Sequence, residues 1–166
     1  MNGERKPDTL STGIYGFGQS IQAQDNIISI TSNADLKTLT EFSIESWIKP
    51  DTLKDSAVLS KGDNTTNHLD YAFLVKSNGK IVLQLDATAG KTGTLIESND
   101  SISLKNNFWN HIAVIFKQSQ DEPATENISF FINGIVAGGG KFKGPFNGSE
   151  ATLFLGGNEF GQKNFF

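Results

Sequence analysis

Two Asn-Gly pairs, each set between short apolar runs, constrain this chain more than any other feature. Ser77-Asn78-Gly79-Lys80 lies between Phe73-Leu74-Val75 and Ile81-Val82-Leu83, and Asn133-Gly134 lies between Phe130-Phe131-Ile132 and Ile135-Val136. An Asn-Gly pair supplies the two positive-φ positions of a type I′ turn, whose twist matches the strands it joins. Both segments are therefore expected to be antiparallel hairpins. Helical signals are almost absent, because no window carries the i, i+3, i+4, i+7 apolar stripe through two turns. Strands are predicted near Gly18–Ser29, Glu41–Lys49, Ser56–Lys61, Tyr71–Lys76, Lys80–Leu85, Gly93–Glu97, His111–Lys117, Ile128–Ile132, Ile135–Ala137 and Ala151–Leu155. Many short strands with turn chemistry between them predict an all-β sandwich or barrel.

The chain has 166 residues, enough for one domain that buries roughly 70% of its unfolded surface. It contains no cysteine, which removes disulfides, thiol catalysis and cysteine-ligated metal sites. Gly138-Gly139-Gly140 follows a strand, but no Gly-Lys-Ser/Thr and no helix come after it, so it reads as a mobile loop and not a phosphate cradle. The polar stretch Ser119–Asn127, with Pro123, reads as a surface loop. No internal repeat appears. The expected organisation is a polar lead-in over residues 1–12 and one domain over 13–166.

Charge excludes one class of partner. The 14 basic residues face 18 acidic ones, and Arg5 is the single arginine. Guanidinium forks are the usual readers of phosphate and base edges, and a net negative chain repels a polyanion. Nucleic acid is therefore not expected as a partner. No apolar run approaches the roughly 20 residues that span a bilayer, so no membrane span is expected. Met1 to Thr12 has no apolar stretch of signal-peptide type.

The order of segments resembles a known family. Gly16-Phe17-Gly18-Gln19-Ser20-Ile21-Gln22 resembles the opening strand of the laminin-G-like, concanavalin A-like lectin/glucanase superfamily. Phe42-Ser43-Ile44-Glu45-Ser46-Trp47-Ile48-Lys49-Pro50 is similar to its most distinctive strand, and Leu59-Ser60-Lys61-Gly62-Asp63 to the next. Trp109-Asn110-His111-Ile112-Ala113-Val114 is similar to its Trp-x-His strand, the segment Ile128 to Gly134 to its Asn-Gly hairpin, and Leu153 to Asn158 to its late Gly-Gly-Asn turn. The resemblance implies a jelly-roll sandwich of two curved antiparallel sheets, commonly in secreted or surface-anchored proteins, that binds carbohydrate or protein, often with calcium at the rim. The family closes with a Gly-x-Ile-Asp-Glu-Val-Arg-Ile-Tyr type of strand. This chain reaches Asn164-Phe165-Phe166 without it. The expectation is a truncated sequence, with completion by a strand from a neighbouring chain as the alternative.

Site candidates follow from that resemblance and from the residues themselves. Glucanases of the superfamily use a Glu-x-Asp-x-Glu strand. Here Glu41 and Glu45 flank Ser43 and stand about 13 Å apart, too far for either glycosidase geometry. They read as a solvated face, and no catalytic residue is expected. His111, among Ile112, Val114 and Phe116, reads as a hydrogen-bonded core histidine. Alternation puts Trp47 on the polar face of its strand with Ser43, Glu45 and Lys49, where an indole can stack on a sugar ring or be covered by a loop, the reading preferred. The loop from Asp63 and Asn64 through His68 to Tyr71 is the other expected ligand-binding region. Calcium needs several hard oxygen ligands; Asp25, Asn26 and Asn158 are the candidates, and no Asp-x-Asp-x-Asp-Gly loop accompanies them.

The reading that results is a non-catalytic, secreted or cell-surface module for glycan or an extracellular protein, with calcium as a candidate cofactor. The alternative is a structural or adhesive subunit completed by a neighbour's strand. A glycoside hydrolase or polysaccharide lyase is disfavoured by the missing carboxylate strand.

Overall fold

The structure is a computed structural model, and it describes residues 10–21, 27–37, 40–63, 68–86, 93–118, 126–143 and 148–157, without the side chains of 63 and 68. Twelve strands form among these residues: β1 (Leu10–Thr12), β2 (Phe17–Gln19), β3 (Ile28–Ile30), β4 (Glu41–Ile48), β5 (Ser56–Asp63), β6 (His68–Val75), β7 (Ile81–Leu85), β8 (Thr94–Glu97), β9 (Asn110–Lys117), β10 (Ile128–Ile132), β11 (Ile135–Gly140) and β12 (Leu153–Leu155). A single 3-10 turn, Ala34–Leu36, is the only helical element among them. The side chain of Asn33 caps it by accepting from the Leu36 N–H at 3.2 Å.

Two antiparallel sheets stack into a concanavalin A-like jelly-roll sandwich. One has four strands in the order β11-β10-β9-β4, and the other six in the order β3-β12-β5-β6-β7-β8. A short hairpin, β1-β2, stands apart from both. The four-stranded sheet follows the period-2 rule strictly. In β4, Phe42, Ile44 and Ile48 turn inward while Glu41, Ser43, Glu45 and Trp47 face out. In β9, Ile112, Val114 and Phe116 are fully buried between more exposed neighbours.

The six-stranded sheet behaves differently. Its central strands are covered on both faces, so β6 and β7 read as near-continuous apolar runs with no alternation. Phe73, Ile81, Leu83 and Leu85 point toward the other sheet, while Ala57, Leu69, Ala72, Leu74 and Val82 form a second cluster. Burial of each large apolar side chain contributes about 1.5–3 kcal/mol. Phe42 bridges the layers, its ring 5.5 Å from Tyr71 and 5.2 Å from Phe116.

The two predicted hairpins differ in their turns. Asn133 and Gly134 have φ of 52° and 78°, the type I′ pattern. Asn133 also ties the turn to β9, its N–H donating to the His111 carbonyl and its Oδ1 accepting from the His111 N–H, both at 2.8 Å. At the other hairpin only Gly79 takes positive φ, at 81°. The Gly79 N–H donates to the Lys76 carbonyl and the Lys76 N–H to the Lys80 carbonyl, each at 2.9 Å. This is a three-residue loop with a glycine bulge, so the type I′ expectation fails there.

Other expectations are corrected. Gly138-Gly139-Gly140 is no loop; it extends β11, with Gly139 opposite Ser129 and Gly140 opposite Ile128. A Cβ at Gly139 would overlap the Ile128 carbonyl oxygen, so the strand approaches this closely only as glycine. Leu10–Thr12, assigned to the polar lead-in, pairs with Phe17–Gln19 as a hairpin. The expected strand over Gly18–Ser29 is split into β2 and β3, and residues 22–26 between them lie outside the described residues. The Ser119–Asn127 loop likewise falls mostly outside them.

Candidate functional site

β4 is the edge of the four-stranded sheet among the described residues, and its C-terminal half borders a cavity of about 560 Å³. Ser46 to Lys49 and Asp51 form one wall. Ser11, Thr12 and Gly18 to Ile21 line it from the hairpin region, Ile28, Val58 and Leu155 from the six-stranded sheet and its connections, and Trp109 from before β9. Gly156, with φ of 83°, lets the chain turn beside Ile21, where a Cβ would come within 2.8 Å of the isoleucine side chain. Its N–H donates to the Val58 carbonyl at 2.9 Å. The lining combines apolar side chains with a few hydroxyl, amide and charged groups.

Trp47 is 40% exposed at this wall. The loop cover preferred from sequence leaves a large part of the indole accessible. Its ring lies 5.0 Å from that of His111, its partner across the β4-β9 ladder. His111 is therefore an outward-facing residue and not the core histidine expected, since Ile112, Val114 and Phe116 take the inward positions. His111 Nε2 lies 3.6 Å from the Glu45 carboxylate. The row Glu45, Trp47 and His111 thus orients one exposed aromatic face beside the cavity.

The family model described as the concanavalin A-like lectin/glucanases superfamily matches residues 22–166. The chain belongs to that superfamily. No curated protein sequence matches it. Among solved structures, the binding domain of botulinum neurotoxin serotype G is similar at 16% identity and TM-score 0.65, over 96% of this chain and 40% of that one. This chain thus spans less than half of the toxin domain. The CBM40 domain of a Ruminococcus gnavus sialidase, bound to α2,3-sialyllactose, aligns at 16% identity and TM-score 0.58 over 80% of this chain and 72% of that one. Domain 4 of AbnA, an extracellular GH43 arabinanase from Geobacillus stearothermophilus, was solved with arabinotriose; it aligns at 19% identity and TM-score 0.57 over 90% and 66%. At these identities the likeness concerns the fold.

Of the other site candidates, the described residues include Tyr71 and the backbone of Asp63 and His68. Tyr71, expected to face a ligand, is 3% exposed within the inter-sheet core. Burial, with the neighbouring Asp70 charge, pushes its hydroxyl well above the ordinary tyrosine range. Asp63 and His68 are paired residues at the ends of β5 and β6, so they begin a hairpin connection instead of lying within a loop. Asn64, Asp25, Asn26 and Asn158 lie outside the described residues. Among the described residues no three acidic or histidine side chains converge to hold a metal ion.

Trp109, Gln19, Lys49 and Asp51 are not marked as site residues by the sequence, yet all line the cavity with Trp47. Trp109 stands two residues before His111, the cross-strand partner of Trp47, and that register is the one available signal. The hairpin residues carry none, because nothing local links Gln19 to Trp47.

A buried polar network supports the same region. Lys61 and Asp70 are both 0% exposed, with Nζ to Oδ2 at 2.6 Å. Asp70 Oδ2 also accepts from the Ser149 N–H at 2.9 Å and its hydroxyl at 3.0 Å, and Lys61 Nζ donates to the Ser149 carbonyl at 2.5 Å. The network anchors the segment that leads into β12, whose Leu155 lines the cavity.

Proposed function

We propose that the chain is a non-catalytic, secreted or cell-surface carbohydrate-binding module whose site is the cavity beside β4. One observation carries the reading: two tryptophans, Trp47 and Trp109, line a cavity of about 560 Å³ that also presents hydroxyl and amide groups. Indole faces stack on the C–H faces of sugar rings, and the polar groups satisfy sugar hydroxyls. Asp51 is the single carboxylate among the described lining residues. Paired-carboxylate hydrolysis needs two carboxyl groups across the scissile bond, which favours binding over cleavage. Similar structures of the same fold bound to sialyllactose and arabinotriose support the ligand class.

The test is a glycan array followed by calorimetry on the wild type and Trp47→Ala, each with calcium and with chelator. Binding that Trp47→Ala weakens about tenfold, a stacking loss near 1.4 kcal/mol, supports the reading. A folded wild type that binds no glycan overturns it. The calcium arm tests the proposed ligands Asp25, Asn26 and Asn158, and unchanged affinity in chelator removes the metal from the reading.

A second reading rests on β4 itself. Among the described residues it pairs only with β9, so its outer edge offers backbone groups to a strand from a neighbouring chain. Light scattering across a concentration series decides it: assembly supports strand addition, and a constant monomer mass refutes it.

A further inference from the structure

The cavity is continuous with hairpin β1-β2, and that hairpin does not hide its aromatic residues. Tyr15 is 84% and Phe17 80% exposed, the two most exposed large apolar side chains among the described residues. Leu10 and Ile14 of the same hairpin are 46% and 37% exposed. Single exposed apolar residues are ordinary, but a cluster of this kind marks a contact surface. The turn is held by the Gly13 N–H donating to the Gly16 carbonyl at 2.9 Å, so the aromatics project from a closed hairpin.

Register places Phe17 relative to the cavity. The pairs Thr12 with Phe17 and Leu10 with Gln19 put these four residues on one face of the hairpin. Residues of both hairpin faces line the cavity, Thr12 and Gln19 on this one and Ser11 and Gly18 on the other. Phe17 stands next to the lining, as the cross-strand partner of Thr12 and the chain neighbour of Gly18. Residues 10–21 contain no charged side chain, and the charged groups among the described lining residues are one of each sign, Lys49 and Asp51. An anionic sugar is normally held by an arginine fork or a cluster of cations, and the chain's single arginine, Arg5, lies outside the described residues. Apolar ring faces alternating with hydroxyls and amides match an uncharged glycan.

We propose that hairpin β1-β2 is a second stacking platform, and that the ligand is an uncharged oligosaccharide that begins beside Trp47 and runs out of the cavity across Phe17. The proposal rests on the carbohydrate reading of the cavity and adds ligand length, charge and a specificity-determining residue. Trp47 holds the first sugar, and Phe17 holds a sugar further along the chain.

The test is calorimetry with lactose, arabinotriose and cellotetraose, their parent monosaccharides, and sialyllactose as the anionic counterpart of lactose. Wild type, Phe17→Ala and Trp47→Ala are compared, with folding checked by circular dichroism; Phe17 is exposed enough that its truncation leaves the sandwich intact. Phe17→Ala is expected to weaken the bound oligosaccharide about tenfold and leave the monosaccharide unchanged, while Trp47→Ala weakens both. Sialyllactose is expected to bind no tighter than lactose. Loss in Trp47→Ala without loss in Phe17→Ala overturns this proposal and leaves the cavity reading standing. Tenfold tighter sialyllactose also overturns it. Absence of all sugar binding, or partition of wild type but not Phe17→Ala onto phosphatidylcholine vesicles without sugar binding, removes both.

Discussion

Replacing one member of the Lys61–Asp70 pair should destabilise the protein far more than replacing both. Each side chain is 0% exposed, and Asp70 Oδ2 takes donors from Lys61 Nζ at 2.6 Å and from the Ser149 N–H at 2.9 Å. Lys61→Met leaves a buried carboxylate without its cation, and Asp70→Asn leaves a buried ammonium without its anion. Breaking a buried pair in this way costs about 3–5 kcal/mol. For a chain of this size each kcal/mol lowers Tm by about 2–4 °C, so each single variant should lose about 6–20 °C. The double variant Lys61→Met/Asp70→Asn buries no charge, and the carboxamide oxygen introduced by Asp70→Asn can still accept from Ser149. It should therefore be more stable than either single variant, with a coupling of at least about 2 kcal/mol. Urea titration with thermal melts measures all four corners of the cycle. Single variants within about 1 kcal/mol of wild type, or a double variant equal to the sum of the singles, would contradict the buried-pair account.

Asp55 tests the electrostatics of a surface turn. The Ser77 N–H donates to its carboxylate at 2.8 Å and Lys76 pairs with it at 3.1 Å; the backbone hydrogen bond is the main cause holding its carboxyl below the ordinary range. A depressed carboxyl contributes stability above its unfolded value and loses it as pH falls through the folded one. The urea midpoint of wild type should thus fall more steeply than that of Asp55→Asn below about pH 4. Tyr71 acts at the other end of the scale: its raised hydroxyl contributes stability below the unfolded value, which is lost as pH rises above about 10. Tyr71→Phe should flatten that alkaline decline, and an unchanged slope would speak against the burial argument. Gly139→Ala, whose Cβ meets the Ile128 carbonyl, should cost about 1–3 kcal/mol. Gly134→Ala, with open space around it and φ of 78°, should cost about 1 kcal/mol in the same melts.

Much of the architecture is legible in the sequence because strand pairing leaves local marks. The alternation through 41–48 gives the correct faces of β4, and Asn133-Gly134 gives the correct turn type. Asn78-Gly79 misleads in detail, because loop length and not the dipeptide alone selects the turn. Gly138 to Gly140 misleads because glycine signals both a loop and a close backbone approach, and only the neighbouring strand distinguishes them. The candidate site is legible in one residue, Trp47. Period 2 states which residues share a face, but not which face meets the other sheet. Tyr71 falls inward for that reason, whereas alternation already sets His111 on the face opposite Ile112, Val114 and Phe116.

An all-β chain, most of its strands, its glycine-dependent turns and its superfamily membership can all be read from the linear order of residues. These features rest on contacts between near neighbours or on ordered short motifs. The candidate cavity is a different matter, formed only once the chain has folded. The cavity joins Gln19, Trp47, Val58, Trp109 and Leu155 from five separate stretches of chain. Sandwich stacking brings them together, and no local pattern records that distance.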